Sequence, residues 1–163
     1  MPPTRLSRAA AAYIDRYAPN TQKLRQFLER RIWKAEPEER PALRAEAEAF
    51  VLRVVEAGLI NDAVWAEDKA RRLTRRGVAP GVARQRLRAA GADPGPAFET
   101  VAAEVGDPAV AAARAFARRR RLGPFRREGR AEARKDDLAK MGRAGFGWSV
   151  AVSIIDAPDD GEG

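Results

Sequence analysis

The chain has 163 residues, with 31 Lys and Arg against 23 Asp and Glu, a formal charge of +8, no cysteine and no histidine. That composition excludes disulfides, thiolate nucleophiles, the usual zinc ligands and the side chain that most often does acid–base work near neutral pH. Its basic balance favours polyanions or acidic protein surfaces as partners, and no apolar run reaches the roughly 18 residues that span a bilayer, so a cytoplasmic protein without a membrane segment is expected.

The apolar periodicity is helical nearly throughout, with no convincing strand. Residues 1–19 read as an N-terminal helix, in which Asp15 and Arg16 interrupt any signal-like apolar run. A first helical module is expected over 20–76, with Asn20 or Thr21 as the cap of its opening helix and a Pro-containing insertion at Pro37 and Pro41. In "RPALRAEAEAFVLRVVEAG", Leu43, Ala47, Phe50, Val51, Val54 and Val55 recur at offsets of three and four and share one face, and Gly58 follows as a left-handed stop. Asn61 or Asp62 caps the next helix, which aligns Ala66, Ala70 and Leu73 before Gly77.

A second module is expected over 77–121. Pro80 opens a short helix with Ala83, Leu87 and Ala90 on its dry face before Gly91. Asp93-Pro94 and Asp107-Pro108 are a repeated cap and first-turn pair, starting helices with stripes of Phe98, Val101, Ala102, Val105 and of Ala109, Ala112, Ala113, Phe116. The second stripe runs into "RRRRLGPF", where Gly123-Pro124 breaks the chain. A third module, 122–156, is expected to hold a basic helix from about Arg126 to Met141, the stop Gly145 and a last amphipathic stretch with Trp148, Ala151, Val152 and Ile155. The acidic end 157–163 has almost nothing to bury and is expected to be disordered.

"RLRAAGADPGPAFETV" from Arg86 can be laid over "KMGRAGFGWSVAVSII" from Lys140, placing Leu87 on Met141, Gly91 on Gly145, Ala97 on Ala151 and Phe98 on Val152. With a weaker copy in the "LRQFLERRI" region, the expected fold class is all-α, built of tandem three-helix repeat modules in an elongated arrangement.

The segments "VEAGLINDAVWAEDKARRL", "RRGVAPGVARQRLRAAGA" and "MGRAGFGWSVAVSI" together resemble the RecX family, regulators of the bacterial RecA recombinase. The likeness runs from about Leu6 to Ile155 and is strongest from Gly58 to Ala92. Its joint, basic helix end and glycine hinge fall on Gly58, Leu59, Asn61, Asp62, Trp65, Ala66, Arg71, Arg72, Gly77, Arg84 and Leu87. The first module departs from the family pattern in its opening cap and in the long linker after Trp33. The resemblance implies a monomeric regulator that inhibits or modulates the RecA filament on single-stranded DNA, within DNA recombination, repair and the SOS response, with no cofactor.

No phosphate loop, dinucleotide fingerprint, nucleophile elbow or His/Cys metal motif is present, so no enzymatic activity is expected. Carboxylates in such helices pair with arginine at i,i+4 spacing, as Asp68 does in prospect with Arg72. The basic residues carry the binding expectation: Arg71, Arg72, Arg75 and Arg76 at one helix end, Arg84 and Arg88 as an outward pair four apart, and the run Arg118, Arg119, Arg120 and Arg121, which adds a direct attraction to DNA. Trp65, Phe146 and Trp148 stand beside helix ends, where they staple helices together or, as the alternative, stack on bases. The alternative function is a free-standing basic helical nucleic-acid-binding protein.

Overall fold

The computed structural model describes residues 4–158; the acidic end expected to be disordered lies, from Asp159 onward, outside the described residues. Among the described residues every regular element is helical, in the order α1 (Arg5–Tyr17), α2 (Thr21–Ile32), α3 (Arg40–Glu56), α4 (Asp62–Arg75), α5 (Pro80–Ala89), α6 (Pro94–Val105), α7 (Pro108–Arg120), a 3-10 turn (Gly123–Phe125), α8 (Arg130–Arg143) and α9 (Trp148–Ile155). The all-α class is therefore the observed one, and none of these helices is long and apolar enough to cross a membrane. The chain divides into two units, one ending at Trp65 and one beginning at Ala66.

In the first unit, Asn20 caps α2, its side chain accepting from the Lys23 N–H at 3.0 Å. The other candidate cap, Thr21, gives both its backbone N–H and its hydroxyl to Asp62 Oδ1, at 2.7 and 2.9 Å. Asp62 is thereby occupied, and Asn61 caps α4, accepting from the N–H groups of Ala63 and Val64. The core joins Ala10 of α1, Leu24, Leu28 and Ile32 of α2, and Ala47, Val51 and Val54 of α3. Tyr13 stacks on Phe27 at its edge, with centroids 4.1 Å apart. Val55, placed on that dry face by spacing, is 42% exposed and stands outside this core. Two ion pairs, Arg25–Glu48 and Arg44–Glu29, cross from α2 to α3 in solvent, where such pairs contribute about 0–1 kcal/mol each.

The second unit is built largely from small side chains. Ala112, Ala113 and Ala117 of α7 pack with Leu138 and Met141 of α8 and with Ala151, Ile154 and Ile155 of α9. Alanine faces let backbones approach, and Gly77 is where this matters most. It has φ +74°, and a Cβ there would lie 2.5 Å from the Phe116 backbone nitrogen. Asp93 and Asp107 cap α6 and α7 as their spacing implied, accepting from the N–H groups of Gly95 and Ala109.

Among the described residues one helix ending recurs five times. Leu59, Val78, Ala92, Leu122 and Phe146 each donate a backbone N–H to the carbonyl five residues earlier, on Val54, Leu73, Leu87, Ala117 and Met141. This is the longer bond of the Schellman motif, which satisfies carbonyls that a helix end leaves without partners. The left-handed residue before each donor is Gly58, Gly77, Gly91 and Gly145 in four cases, and Arg121 in the fifth, at φ 54°.

Two expectations shift. The helix expected from Arg126 begins at Arg130, because Arg126 is drawn to Asp137 and the chain between them loops out through Gly129 at φ +65°. Trp148 is not a staple: it is 70% exposed at the first turn of α9. Phe146 does pack, 6% exposed and tilted against Phe116 with centroids 5.5 Å apart.

Candidate functional site

Of the 31 Lys and Arg, 20 fall in the second unit, against 14 of the 23 Asp and Glu, so most of the positive charge resides there. The candidate arginines occupy three helix ends in this unit. Arg72 and Arg75 lie in the last turn of α4, Arg88 in the last turn of α5, and Arg118, Arg119 and Arg120 in the last turn of α7. Each group sits where the helix dipole favours a cation, so part of its placement follows from helix physics alone.

Their pairing separates them. Arg71 is held at 2.7 Å from Glu104 of α6 and 2.8 Å from Asp68, with Glu67 at 3.4 Å. Bonding to Glu104 first, then to Asp68, raises the Arg71 pKa further above its ordinary value. The same bond, with a weaker pull from Arg75, holds the Glu104 carboxyl below the usual carboxylate range. Arg71 therefore ties α4 to α6, and the partner of Asp68 is Arg71, not Arg72, because the Glu104 tether draws that guanidinium across the helix face. Arg72, Arg75, Arg76, Arg119, Arg120 and Arg121 are exposed and take part in none of the ion pairs among the described residues.

Arg84 and Arg88 come together on one side of α5, where they line a groove of about 410 Å³ with Asp93, Pro94, Phe98 and Glu99. Arg88 is exposed, whereas Arg84 is half-buried. The Arg84 guanidinium lies over the Phe98 ring, 4.6 Å from its centroid, an attraction of about 0.5–1 kcal/mol at a partly exposed site. Periodicity alone cannot show this contact, since Phe98 reaches the α5 face from another helix. None of the α4 or α7 candidates lines the groove.

The α7 end has a support that spacing did not disclose. Asp137 of α8 is fully buried, 2.7 Å from Arg126 and 3.8 Å from Lys140. It accepts the Gly123 N–H at 2.9 Å. Burial alone would push its carboxyl up, but the Arg126 guanidinium and the Gly123 N–H outweigh that and hold it below the usual range. Gly123 meets Ile155 closely enough that a Cβ would lie 2.8 Å from the Ile155 Cα. The arginine run thus ends on a turn fixed from two sides. Arg118 and Arg120 lie over Phe125 and Phe116, 5.3 and 5.7 Å from the ring centroids.

Trp65 carries the Lys23 ammonium 5.1 Å from its ring centroid. Among the described residues no group of three or more His, Cys, Asp or Glu could hold a metal ion.

The chain is 41% identical over 161 residues to the regulatory protein RecX of Myxococcus xanthus (strain DK1622), covering 95% of this chain and 86% of that one. No family model matches the chain. No solved structure matches it either.

Proposed function

Because the chain belongs to the RecX family, we propose that it is a non-enzymatic cytoplasmic regulator of the RecA recombinase, binding the filament on single-stranded DNA and lowering its ATP-driven activity. The observation that carries this reading is the set of exposed arginines at the ends of α4, α5 and α7 in the second unit, of which Arg72, Arg76, Arg88, Arg119, Arg120 and Arg121 take part in no ion pair among the described residues. Charge left uncompensated at fixed helix ends favours an acidic protein surface or phosphates. Inhibition follows if the bound protein favours one filament arrangement over the others that the hydrolytic cycle visits.

The test is recombinase ATP hydrolysis on single-stranded DNA, titrated with the protein. Inhibition at low stoichiometry on preformed filaments supports the reading, and a rate unchanged at every concentration refutes it. The run Arg118–Arg121 favours a second reading, a free-standing nucleic-acid-binding protein. In that case affinity for bare single strands needs no recombinase and falls with salt at a log–log slope near −0.7 per phosphate contact.

A further inference from the structure

We infer that the groove between α5 and α6 is the seat of an acidic, amphipathic protein segment, gripped by Arg84 and Arg88 over an apolar floor, and is not a phosphate track. The inference rests on the regulatory reading for the identity of the partner and deepens it by assigning where protein, as distinct from nucleic acid, is held.

Four observations converge. Arg25, Arg44, Arg71, Arg126 and Arg134 each have a carboxylate partner within the chain. Arg84 and Arg88 have none among the described residues, though both border a groove. Secondly, Arg84 is set in place before any partner arrives, its guanidinium lying over Phe98. A guanidinium held by its face keeps its N–H edge for a carboxylate, which it can meet through two parallel bonds, and prior immobilisation lowers the entropy lost on binding.

Thirdly, the charge of the groove is mixed. Asp93 and Glu99 share it with the two arginines. A nucleic-acid strand carries a negative charge at every nucleotide and meets those two carboxylates wherever it threads. A peptide can set one acidic residue against Arg84 and Arg88 while presenting apolar or basic side chains to the rest. Asp93 is also committed to the Gly95 N–H at the start of α6, which occupies a donor a phosphate would otherwise use. Fourthly, the floor is apolar, and Phe98 is 2% exposed with Arg84 over its ring. It therefore offers no open aromatic face for a base to stack on, the contact that single-strand binding sites rely on, and the apolar surface open to a partner's side chains comes from the partly exposed Ala102 and Pro108. By contrast, the four consecutive arginines at 118–121 contain no carboxylate within the run.

The experiment measures binding of the full-length protein to recombinase assembled on single-stranded DNA and, separately, to a bare oligothymidylate, with ATP hydrolysis followed in parallel. The variants are Arg84→Glu with Arg88→Glu, and Arg88→Glu alone. The single variant guards against loss of the Phe98 contact unsettling the fold, which circular dichroism checks. Both variants are expected to bind recombinase at least tenfold more weakly, the scale set by reversing a close charge pair across an interface, and to keep their affinity for the bare oligonucleotide within about threefold. Unchanged recombinase binding by the folded variants overturns the inference, as does a parallel loss of oligonucleotide binding, which would make the groove a phosphate site. A wild-type protein that binds recombinase through these arginines without altering ATP hydrolysis would instead refute the regulatory reading and leave the groove standing.

Discussion

Replacing Gly77 by alanine adds one methyl group at the tightest approach in the second unit. Two costs arise at once. An L-residue at φ +74° is disfavoured by roughly 1–2 kcal/mol relative to its right-handed conformation. The new Cβ would also stand 2.5 Å from the Phe116 nitrogen and 2.7 Å from its Cα. Those are backbone atoms in the middle of α7, so relief requires moving a helix whose other face is packed through Ala112, Ala113 and Ala117, and overpacking of that kind typically costs a further 1–3 kcal/mol or so. The expected loss is therefore about 2–5 kcal/mol. Gly129 supplies the control in the same unit: its φ is +65°, and the nearest atom to its would-be Cβ is Glu132 Oε2 at 3.9 Å, so Gly129→Ala should cost only the conformational part, about 1–2 kcal/mol. Urea unfolding followed by far-ultraviolet circular dichroism measures both. Losses for the two variants within about 0.5 kcal/mol of each other would show that α4 does not end against the backbone of α7, and the packing described for this unit would have to be redrawn.

Asp137→Asn should destabilise the second unit by about 2–3 kcal/mol near neutral pH, since the buried Gly123 N–H and the partly exposed Arg126 lose their charged acceptor. Because the folded carboxyl lies below the ordinary range, its contribution is fully present above about pH 4 and disappears as the pH falls through the lower folded value. Urea midpoints taken between about pH 2 and 7 should accordingly show a shallower acid limb in the variant, and identical limbs would contradict the assignment. Arg71→Glu should lower the melting temperature by setting four acidic groups against one another, whereas Arg72→Glu, at an exposed position, should change stability by no more than about 0.5 kcal/mol; equal melting curves for the two would mean that the Glu104 tether does not form.

Local features were legible in the sequence because they depend on neighbours in the chain. Asp93 and Asp107 could be read as caps, and Gly58, Gly77 and Gly91 as left-handed stops, since the requirement for a nearby acceptor or for positive φ is written within a few residues. Contacts between distant segments were not legible. Arg71 and Glu104 are 33 positions apart, and i,i+4 spacing pointed Asp68 to Arg72, so nothing local marked Arg71 as tethered to another helix. Arg126 lies 11 positions before Asp137 on the far side of a loop, and its attraction to that carboxylate moved the start of α8 by four residues from the expected one. Arg84 was read with Arg88 as an outward-facing pair on α5, yet Arg84 is half-buried, because Phe98 of α6 lies under its guanidinium. Sequence patterning gave Phe98 a core role without saying what would lie over its ring.

The tryptophans determine how this protein can be watched. Trp33 is 60% exposed and Trp148 70% exposed, and Trp65 is partly exposed beneath the Lys23 ammonium. With every indole already in contact with water in the folded chain, intrinsic emission should change little on unfolding, and the native state offers no strongly shielded fluorophore to lose. The same placement makes emission sensitive to anything that covers the surface: a blue shift on mixing with a tryptophan-free partner would report burial of an indole in a complex, with little background from the folding equilibrium.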